Sequence, residues 1–570
     1  MLMRSRPRPR VLAFLVLTFF AACTSNEGGS RSGAAGPTGG TFIFASPVDP
    51  ESVFPPFVTE QVGAAVVGLV FDHLADISND LKTTGDKTFS PRLAKSWTWA
   101  PDSLSITFSL DPRARWHDGK PVTAADVRYS LKVFTDPKAA SPIAATLVNV
   151  DSVSAKDSLT AVVWFKKHTR EQFYDVAYQL YIVPEHVYGS TPVESLRTST
   201  IARTPIGSGQ FRFVQWQPDV KFELEADTAN YHGRPLLDRV IFTPTTDPST
   251  RRTQLLTGQA DLMQNFPGEL SALDSSKVAR PLLIPSLQYA FLGMNLYAPK
   301  SNMQAHPIFS DVRVRRALSM AVNRVDMLRN VFGNQGLVAH GPFPMILSAS
   351  DSTVKLPPYD TAAASALLDS AGWRRGSDGM RAKHGTPLKF SLLMPTTSAI
   401  RHKYSPLLQE QYRRLGAKLE IDAVDLKTYT ERIQPGSKAG DFDMAIQTFS
   451  TDPSPSGMRQ NWGTAGIGPQ GQNFLRYSNP KTDALIDSVS ASFDPAKVKQ
   501  YAKRAFQQIA DDAPGIWLYD LTEVDAVNRR INVTKTRPDG WWHSLAEWSI
   551  APDKRIDRDR IPLGAIPPAR

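Results

Sequence analysis

Residues 388–423, LKFSLLMPTTSAIRHKYSPLLQEQYRRLGAKLEIDA, contain the alternation of strand and helix that decides the fold class. Apolar residues alternate with others from Leu388 to Met394 and again from Leu419 to Ala423, which predicts two half-buried strands. Between them, Ser405-Pro406 predicts the start of a helix that ends at Gly416. Strands that alternate with helices indicate an α/β unit with a largely parallel sheet.

A third strand of this unit is predicted from the apolar residues Phe442, Met444 and Ile446. It leads into residues 448–453, which read TFSTDP. Ligands of open α/β sheets bind outside the carboxyl ends of the strands. We therefore expect the ligand site of this unit near residues 448–453.

The first half of the chain is predicted to be α+β. Apolar residues alternate at 104–110 and 220–224, as in strands, and Thr123 with Asp126 approximates a capping box that opens a helix. The character changes near residue 290, after which Asp311 can cap a helix. The apolar residues that share one face of this helix are Val314, Ala317, Leu318, Ala321, Val322 and Val325. A mature length of about 530 residues suggests about three domains.

The amino terminus carries the only cysteine of the chain, Cys23, directly after the apolar run Val11–Ala22. Four arginines precede that run, and the layout of residues 1–22 is typical of a signal peptide. The run is too short for a membrane span, which takes about 20 apolar residues. Small residues before a lone cysteine resemble a bacterial lipobox, whose thiol is lipidated, although Phe20 stands where Leu is usual. The alternative is an ordinary secretory signal with an incidental cysteine.

Residues 23–40 are rich in Ser, Gly, Thr and Ala, and they predict a flexible tether. Removing residues 1–22 removes four arginines and lowers the formal net charge from +10 to +6. Lys and Arg are dispersed over the remaining sequence, so no nucleic-acid partner is predicted. With Cys23 lipidated, no thiol remains for a disulfide, a nucleophile or a metal cluster.

The sequence contains none of the HExxH, GxSxG or P-loop spacings. Gly207-Ser208-Gly209 beside Pro205 is typical of a tight turn. His117 is interpreted as solvated or locally hydrogen-bonded rather than as a metal ligand. Neither an enzyme, a cofactor nor a metal site is predicted, and an extracytoplasmic hydrolase remains an alternative only by default.

Eight short segments, in order across almost the whole mature chain, resemble the family 5 extracellular solute-binding proteins, the oligopeptide and dipeptide receptors of ABC importers. The segments are PRLAKSW (91–97), WHDGKPVTAADV (116–127), PIGSGQF (205–211), NYHG (230–233), LLTGQAD (255–261), VRRAL (314–318), AGW (371–373) and DDAP (511–514). Two departures matter. Ser208 and Gln210 replace the Thr and Pro of the usual GTGPY turn, and Asn323-Arg324 replaces the commoner Asp-Arg.

The resemblance implies a two-lobed Venus-flytrap fold of the type II periplasmic-binding class, with an α+β lobe I and an α/β lobe II. Lobe I is expected at 41–282, with an inserted subdomain at about 70–204, and lobe II at 283–517. Residues 518–570 are expected to return to lobe I. Crossings near residues 283 and 518 would form the hinge, and the ligand would lie between the lobes.

The resemblance also implies where a ligand binds. In peptide-binding relatives an aspartate just beyond the third strand of lobe II takes the α-ammonium, and Asp452 stands in the matching Trp-x-x-Asp position, with Phe449 in place of Trp. A buried cation needs a close carboxylate, and a strand edge offers backbone pairing to an extended peptide. The alternative is that Asp452 is only an Asx-turn residue before Pro453.

Further candidates for ligand contacts come from both lobes. Thr448 and Ser450 offer backbone groups, and Glu60-Gln61 would reach the ligand from lobe I. The remaining candidates, each with a structural role as the alternative, are Asn295, Arg401 as a carboxylate partner, and Trp462 as an aromatic wall.

These observations predict a lipid-anchored, extracytoplasmic and monomeric binding protein that captures a solute, a peptide above all, and delivers it to an ABC permease. Relatives vary in ligand, so a receptor for nickel, haem or sugar is the alternative on the same fold. A surface lipoprotein that serves adhesion or signalling is a further alternative, favoured if side chains fill the cleft.

Overall fold

The computed structural model describes residues 38–265, 273–332, 337–396, 398–433, 440–468 and 471–564. The α-helices are α1 (Gln61–Val70), α2 (Ala124–Thr135), α3 (Gln172–Ala177), α4 (Glu185–Tyr188), α5 (Val193–Leu196), α6 (Pro248–Leu256), α7 (Val312–Met320), α8 (Arg324–Phe332), α9 (Thr361–Ser370), α10 (Ala399–Leu415), α11 (Leu426–Ile433), α12 (Met458–Trp462), α13 (Pro480–Ala491) and α14 (Pro495–Asp512).

The strands are β1 (Thr41–Ser46), β2 (Ala75–Asp76), β3 (Ser90–Pro91), β4 (Ala94–Trp99), β5 (Ser105–Leu110), β6 (Val150–Asp157), β7 (Thr160–Phe165), β8 (Phe211–Gln217), β9 (Lys221–Ala226), β10 (Arg239–Pro244), β11 (Leu262–Met263), β12 (Ala279–Met294), β13 (Leu337–Val338), β14 (Arg374–Arg375), β15 (Arg381–Lys383), β16 (Thr386–Pro387), β17 (Lys389–Pro395), β18 (Lys418–Val424), β19 (Met444–Ser450), β20 (Gly515–Asn528), β21 (Ile531–Asn532) and β22 (Ser549–Ile550). Short 3-10 helices lie at Pro55–Phe57, Pro142–Asn149, Thr200–Arg203, Pro455–Gly457, Thr464–Gly466, Trp541–Glu547, Pro552–Lys554 and Asp557–Arg560.

Two long antiparallel strands, β12 and β20, connect the two halves of the main sheet, whose order is β18-β17-β19-β12-β20-β11-β1-β10-β9-β8. We call lobe I the strands from β11 to β8 with the chain packed on them, and lobe II the strands β18, β17 and β19 with theirs. The register of β12 against β20 shifts between Pro285 and Tyr289, opposite Thr522 and Asp520. The chain therefore crosses between the lobes along two paired strands.

Lobe I has an aromatic core beneath its sheet. Trp541 packs against Phe42 and Phe44 of β1, with ring centroids 5.7 and 5.1 Å apart, and all three side chains are buried. Aromatic rings of this kind bury large apolar areas and stabilise a core. The contacts join the first strand of the lobe to the carboxyl-terminal part of the chain.

The Gly207-Ser208-Gly209 turn packs against the last turn of α1. A Cβ atom on Gly207 would lie 1.8 Å from the carbonyl oxygen of Val70, so only glycine fits this approach. The Gly207 N–H lies 3.2 Å from Nδ1 of His117, whose Nε2 lies 2.9 Å from the carbonyl oxygen of Gly209. The turn and the local hydrogen bonding of His117 are both confirmed.

A separate four-stranded sheet of order β4-β5-β7-β6 lies within the range predicted for an inserted subdomain. Helix α2 packs on it and is capped by Thr123, whose N–H donates to Oδ2 of Asp126 at 2.8 Å. The predicted capping box is confirmed. The exact subdomain, lobe and hinge boundaries stay a prediction.

In lobe II, β17 pairs in parallel with β18 and β19, as the sequence predicts, and β19 pairs antiparallel with β12. The predicted start of α10 at Ser405-Pro406 is wrong: Ser398 caps the helix, and Pro406 lies inside it. The predicted end is confirmed, because Gly416 adopts the left-handed conformation with φ of 89°.

Asp311 caps α7, as predicted, but the placement of Val325 on the buried face of that helix is wrong. Helix α7 ends at Met320, and Val325 lies in α8, where its side chain is 55% exposed. Asn323 accepts a hydrogen bond from the Asp326 N–H at 3.1 Å and so starts the new helix.

The predicted signal peptide, residues 1–22, and Cys23 lie outside the described residues, as does the tether up to residue 37. Among the residues that are described, the structure contains no helix that is both long and apolar enough to cross a membrane.

Candidate functional site

A cavity of about 430 Å³ lies between the two lobes. Lobe II contributes Leu287 and the segment Ser450–Pro453. Lobe I and its inserted sheet contribute the larger wall, which includes residues of α1, of the segment 174–181 and of the segment 539–543. A concave site of this size with a few polar groups is typical of small-ligand binding.

Asp452 lies in this cavity because β19 ends at Ser450 and the chain turns at once. The Thr451 N–H donates to the Leu287 carbonyl oxygen at 2.9 Å, which extends the pairing with β12 by one step. Oδ1 of Asp452 then accepts the Ser454 N–H at 2.7 Å. Asp452 therefore forms the Asx turn that was the alternative interpretation, and it also lines the cavity.

The surroundings of Asp452 alter its acidity. Enclosure by protein is the main reason that the pKa of its carboxyl is raised to about 6, and the nearby Glu171 carboxylate also raises it. Hydrogen bonds from the Ser454 N–H and the Tyr174 hydroxyl lower the pKa but do not offset these effects. The residue nevertheless keeps an exposed face toward the cavity. The carboxylate is thus surrounded on most sides but remains accessible to a solute and to water, and water moderates the shift.

Polar contacts between the lobes lie beside Asp452. The Ser454 hydroxyl of lobe II donates to Oε1 of Glu171, which also accepts from Nη2 of Arg170 at 2.8 Å. Nη1 of Arg170 donates to the carbonyl oxygen of Val489, in the last turn of α13. The structure therefore shows the two lobes in contact around the cavity.

The lobe I wall is rich in rings. His73 packs against Tyr181 and Tyr178 with ring centroids 4.2 and 4.7 Å apart, and Trp542 packs against His543 at 5.4 Å. Burial lowers the pKa of His73 to about 3 and that of His543 to about 4. Both imidazoles are therefore neutral at neutral pH, and the wall is aromatic and polar without being cationic.

A buried ion-pair network supports this wall from behind. Nη1 of Arg537 lies 2.9 Å from Asp76, and Nη2 lies 2.6 Å from Oδ2 of Asp539 and 2.7 Å from the Tyr178 hydroxyl. Burial alone would raise the pKa of Asp76, but the guanidiniums of Arg537 and Arg92 outweigh it and hold that pKa below its usual range. The network fixes Tyr178 and Asp539 at the cavity surface.

Phe449 and Trp462 lie outside the described lining of the cavity. Both are buried, their ring centroids are 5.9 Å apart, and the Trp462 Nε1–H donates to the Tyr289 hydroxyl at 3.0 Å. Arg401 donates to the Thr448 hydroxyl at 3.2 Å, on the same strand as Phe449. These residues support the end of β19, and their direct contact with a ligand stays a prediction.

The other candidates, apart from Ser450, are not part of the cavity lining that the structure describes. The carboxylate of Glu60 accepts the N–H groups of Val62 and Gly63 and caps α1, next to the exposed Gln61. Asn295 is fully buried and donates to the carbonyl oxygens of Gly440 and Phe442. These contacts are structural, and a ligand-binding role of these three residues remains a prediction. Ser450, by contrast, lines the cavity beside Asp452.

Sequence reasoning missed the lobe I wall. Its two main segments, 174–181 and 539–543, lie more than three hundred residues apart and match no motif. The one visible signal was the dense ring cluster Trp541-Trp542-His543. In the part of the chain that is described, no group of three His, Cys, Asp or Glu side chains is arranged to hold a metal ion.

Two lobes, joined by paired crossing strands and enclosing a cavity, define a solute-binding protein of the two-lobed periplasmic type. Residues 88–470 match the family "Bacterial extracellular solute-binding proteins, family 5 Middle", and the chain belongs to this family. The predicted family and the predicted two-lobed fold are confirmed. The family binds solutes outside the cytoplasm, which places this chain there too.

Individual relatives cover most of the chain. The oligopeptide-binding protein AppA of Bacillus subtilis is 23% identical over 542 residues, 94% of this chain and 96% of AppA. The glutathione-binding protein GsiB of Pectobacterium atrosepticum is 25% identical over 457 residues, 78% of this chain and 83% of GsiB.

Solved structures share the fold. AppA of Bacillus subtilis in complex with a nonapeptide superposes with a TM-score of 0.70 at 23% identity, covering 90% of this chain and 100% of AppA. NikZ of Campylobacter jejuni in complex with Ni(L-His) also gives 0.70 at 23% identity, covering 89% of this chain and 99% of NikZ.

Proposed function

We propose that this protein captures a peptide by its amino terminus between the two lobes and delivers it to the permease of an ABC importer. It acts outside the cytoplasm as a lipid-anchored monomer, without a cofactor and without catalysis. The membership of the chain in an extracellular solute-binding family supports the transport role. The name of AppA, an oligopeptide-binding protein, supports the choice of a peptide.

The observation that carries the proposal is the carboxylate of Asp452 in the interlobe cavity. Its Oδ1 is held by the Ser454 N–H, and the side chain keeps an exposed face. A carboxylate held in place inside a cleft is the group that an α-ammonium needs when it leaves water. The adjoining end of β19 offers the backbone of Ser450 to an extended chain.

Delivery to a permease requires that the protein signal whether it is loaded. A ligand that contacts both lobes binds the closed state better and shifts the population toward it by its differential affinity. The contacts from Ser454 to Glu171 and from Arg170 to Val489 exist only when the lobes approach. The closed form is therefore the form that a permease would recognise.

The test is calorimetry of peptide binding to Asp452→Asn. Asparagine keeps the oxygen that accepts the Ser454 N–H, so only the charge is lost, and we expect about 2 to 5 kcal/mol less binding free energy. The matched control is Asp494→Asn, which changes an exposed aspartate that caps α14 through the Ala496 N–H at 2.9 Å. N-acetylation of the peptide is expected to reproduce the effect of Asp452→Asn. Equal affinity of both variants and the wild type would refute the ammonium site.

A receptor for a metal complex of an amino acid is the second candidate, favoured by the two neutral imidazoles of His73 and His543 in the cavity wall. Neutral imidazole is a common metal ligand and can complete the coordination of a chelated ion. Titration with Ni²⁺ and histidine together tests this candidate, and saturable binding that is lost in His73→Phe would favour it over a peptide.

A further inference from the structure

The ionisable groups that line the cavity determine which charge a ligand can bring into it. Asp452 marks the lobe II end. The ionisable groups of the described lining on the lobe I side are the Asp539 carboxylate, the imidazoles of His73 and His543, and tyrosine hydroxyls. Within that described lining, neither end presents a lysine or an arginine.

The guanidiniums around the cavity lie outside its described lining and are engaged with protein groups, as Arg170 is with Glu171 and the Val489 carbonyl. Arg537 is bonded to Asp76, Asp539 and the Tyr178 hydroxyl, and it is only 3% exposed at its side chain. Arg92 forms an ion pair with Asp72 at 3.1 Å, a carboxylate that also accepts from the Tyr231 hydroxyl. These cations neutralise aspartates and are not directed at a solute.

The carboxylates around the cavity also bear on the charge of the ligand. Asp452 and Asp539 line the cavity, and the charge of Glu171 beside Asp452 adds to the raised pKa of Asp452. The electrostatic field in the cavity therefore favours a cation. The rings of Tyr174, Tyr178, Tyr181 and Trp542 in the wall act in the same direction, because aromatic faces attract ammonium groups.

Two polar atoms of the lobe I wall, Nδ1 of His73 and Nε1 of Trp542, have no hydrogen-bond partner in the described structure. His73 is 5% exposed and lines the cavity, and its Nδ1 makes no hydrogen bond there. A neutral imidazole nitrogen can hydrogen-bond to a peptide amide, whereas it offers a carboxylate no compensating charge. A carboxylate taken into this cavity would meet other carboxylates without a cation to pair with, which is costly.

We propose that the cavity accepts cationic peptides that present an ammonium to Asp452 and a neutral amide, instead of a free α-carboxylate, to the lobe I wall. This inference rests on the proposed function and names the class of peptide that the same site takes. The site recognises the amino terminus of its ligand and binds more weakly those peptides that would place a free α-carboxylate inside the cavity.

The test is a competition between forms of the same tripeptides, presented to the purified protein as equimolar free acids, C-terminal amides and N-acetylated amides. Bound peptides are released and quantified by mass spectrometry. We expect the amides to be enriched about tenfold over the free acids, and the N-acetylated amides not to be retained. Enrichment of amides below about threefold, or any enrichment of the free acids, would overturn the inference while peptide binding itself stands. If no form is retained, the peptide proposal fails and the inference fails with it.

A substitution in the wall makes the test independent of the peptides chosen. Gln179 lines the cavity and donates to the Tyr174 hydroxyl at 2.5 Å. Gln179→Arg supplies the guanidinium that the described lining lacks, and we expect it to move the preference from amides toward free acids. Gln179→Met, of similar length and neutral, is expected to keep the preference for amides. A folded Gln179→Arg variant with an unchanged preference would contradict the electrostatic argument.

Discussion

Replacement of Arg170 by alanine tests whether contacts between the lobes set the affinity for the ligand. The Arg170 guanidinium joins lobe I to the last turn of α13 in lobe II through the Val489 carbonyl, and it also pairs with Glu171. Its side chain is 1% exposed. Arg170→Ala removes these contacts from the closed form, and the contact with Val489 cannot exist once the lobes have separated.

The expected magnitude follows from the type of contact. A hydrogen bond to a charged group contributes about 1.5 to 3 kcal/mol, and the carbonyl at a helix carboxyl terminus suits a cation further. Because water replaces part of the contact in the open form, we expect the closed form to lose about 2 kcal/mol, or about 30-fold in its population relative to the open form. If the open form prevails without ligand, the apparent dissociation constant rises by the same factor.

The assay is calorimetry of ligand binding, together with small-angle scattering with and without ligand. The wild type is expected to show a smaller radius of gyration with ligand and an unchanged circular dichroism spectrum, because hinge closure moves rigid lobes. Arg170→Ala is expected to need more ligand to reach the same small radius of gyration, while its circular dichroism remains that of the wild type.

The chain offers a matched control in Arg313, which lies entirely within lobe II. Its Nη1 donates to the Ser370 carbonyl oxygen at the end of α9, at 2.8 Å, and its Nη2 pairs with Asp311 at 2.7 Å. Arg313→Ala therefore loses the same kinds of contact without affecting closure. If Arg170→Ala binds as tightly as Arg313→Ala, the contacts between the lobes do not set affinity and the reasoning fails.

Three further predictions follow from other parts of the molecule. Peptide affinity is expected to fall as the pH drops through about 6. Asp452 has a raised pKa of about 6, and its carboxyl pairs with an ammonium only when it is ionised, above that pH. A flat affinity profile in calorimetry between pH 5 and 8 would contradict this. Cys23→Ala is expected to release the protein from membranes, and retention through a carbonate wash would rule out the lipid anchor. Gly207→Ala is expected to lower the free energy of unfolding, measured in urea, by more than about 2 kcal/mol, because the new Cβ would lie 1.8 Å from the Val70 carbonyl oxygen. Gly341→Ala is the control, because a Cβ there would lie 3.7 Å from its nearest atom, on Val354.

Periodicity predicted the strands of lobe II well because each strand buries one face. It misplaced the start of α10 because Pro406 was taken as a beginning. Tyr404, Leu408 and Tyr412 lie four residues apart and are fully buried, so the apolar face of the helix continues across the proline. Tyr404 contacts Tyr519 and Tyr412 contacts Phe390, with ring centroids 6.3 and 5.5 Å apart. Tertiary packing thus overrides the local preference of proline.

The sequence located one side of the site but not the other. Asp452 follows a strand that periodicity and a family pattern both mark, so its position at the cavity was predictable. The opposite wall forms by long-range contacts, such as the hydrogen bond from the Tyr178 hydroxyl to Oδ2 of Asp539 at 2.5 Å. Residues separated by 361 positions leave no local pattern that would pair them.

Ligand recognition and lobe closure depend on the same few residues. Asp452 is tied to Ser454 by the Asx turn, and the Ser454 hydroxyl reaches Glu171 across the gap between the lobes. Closure without ligand encloses the Asp452 carboxylate, and this loss of water is the main cause of its raised pKa, to which the charge of Glu171 adds. A cation beside Asp452 offsets both effects, because it compensates the negative charge that closure would otherwise bury. The preference for a cationic ligand and the closing of the empty protein are therefore governed by the same electrostatic interaction.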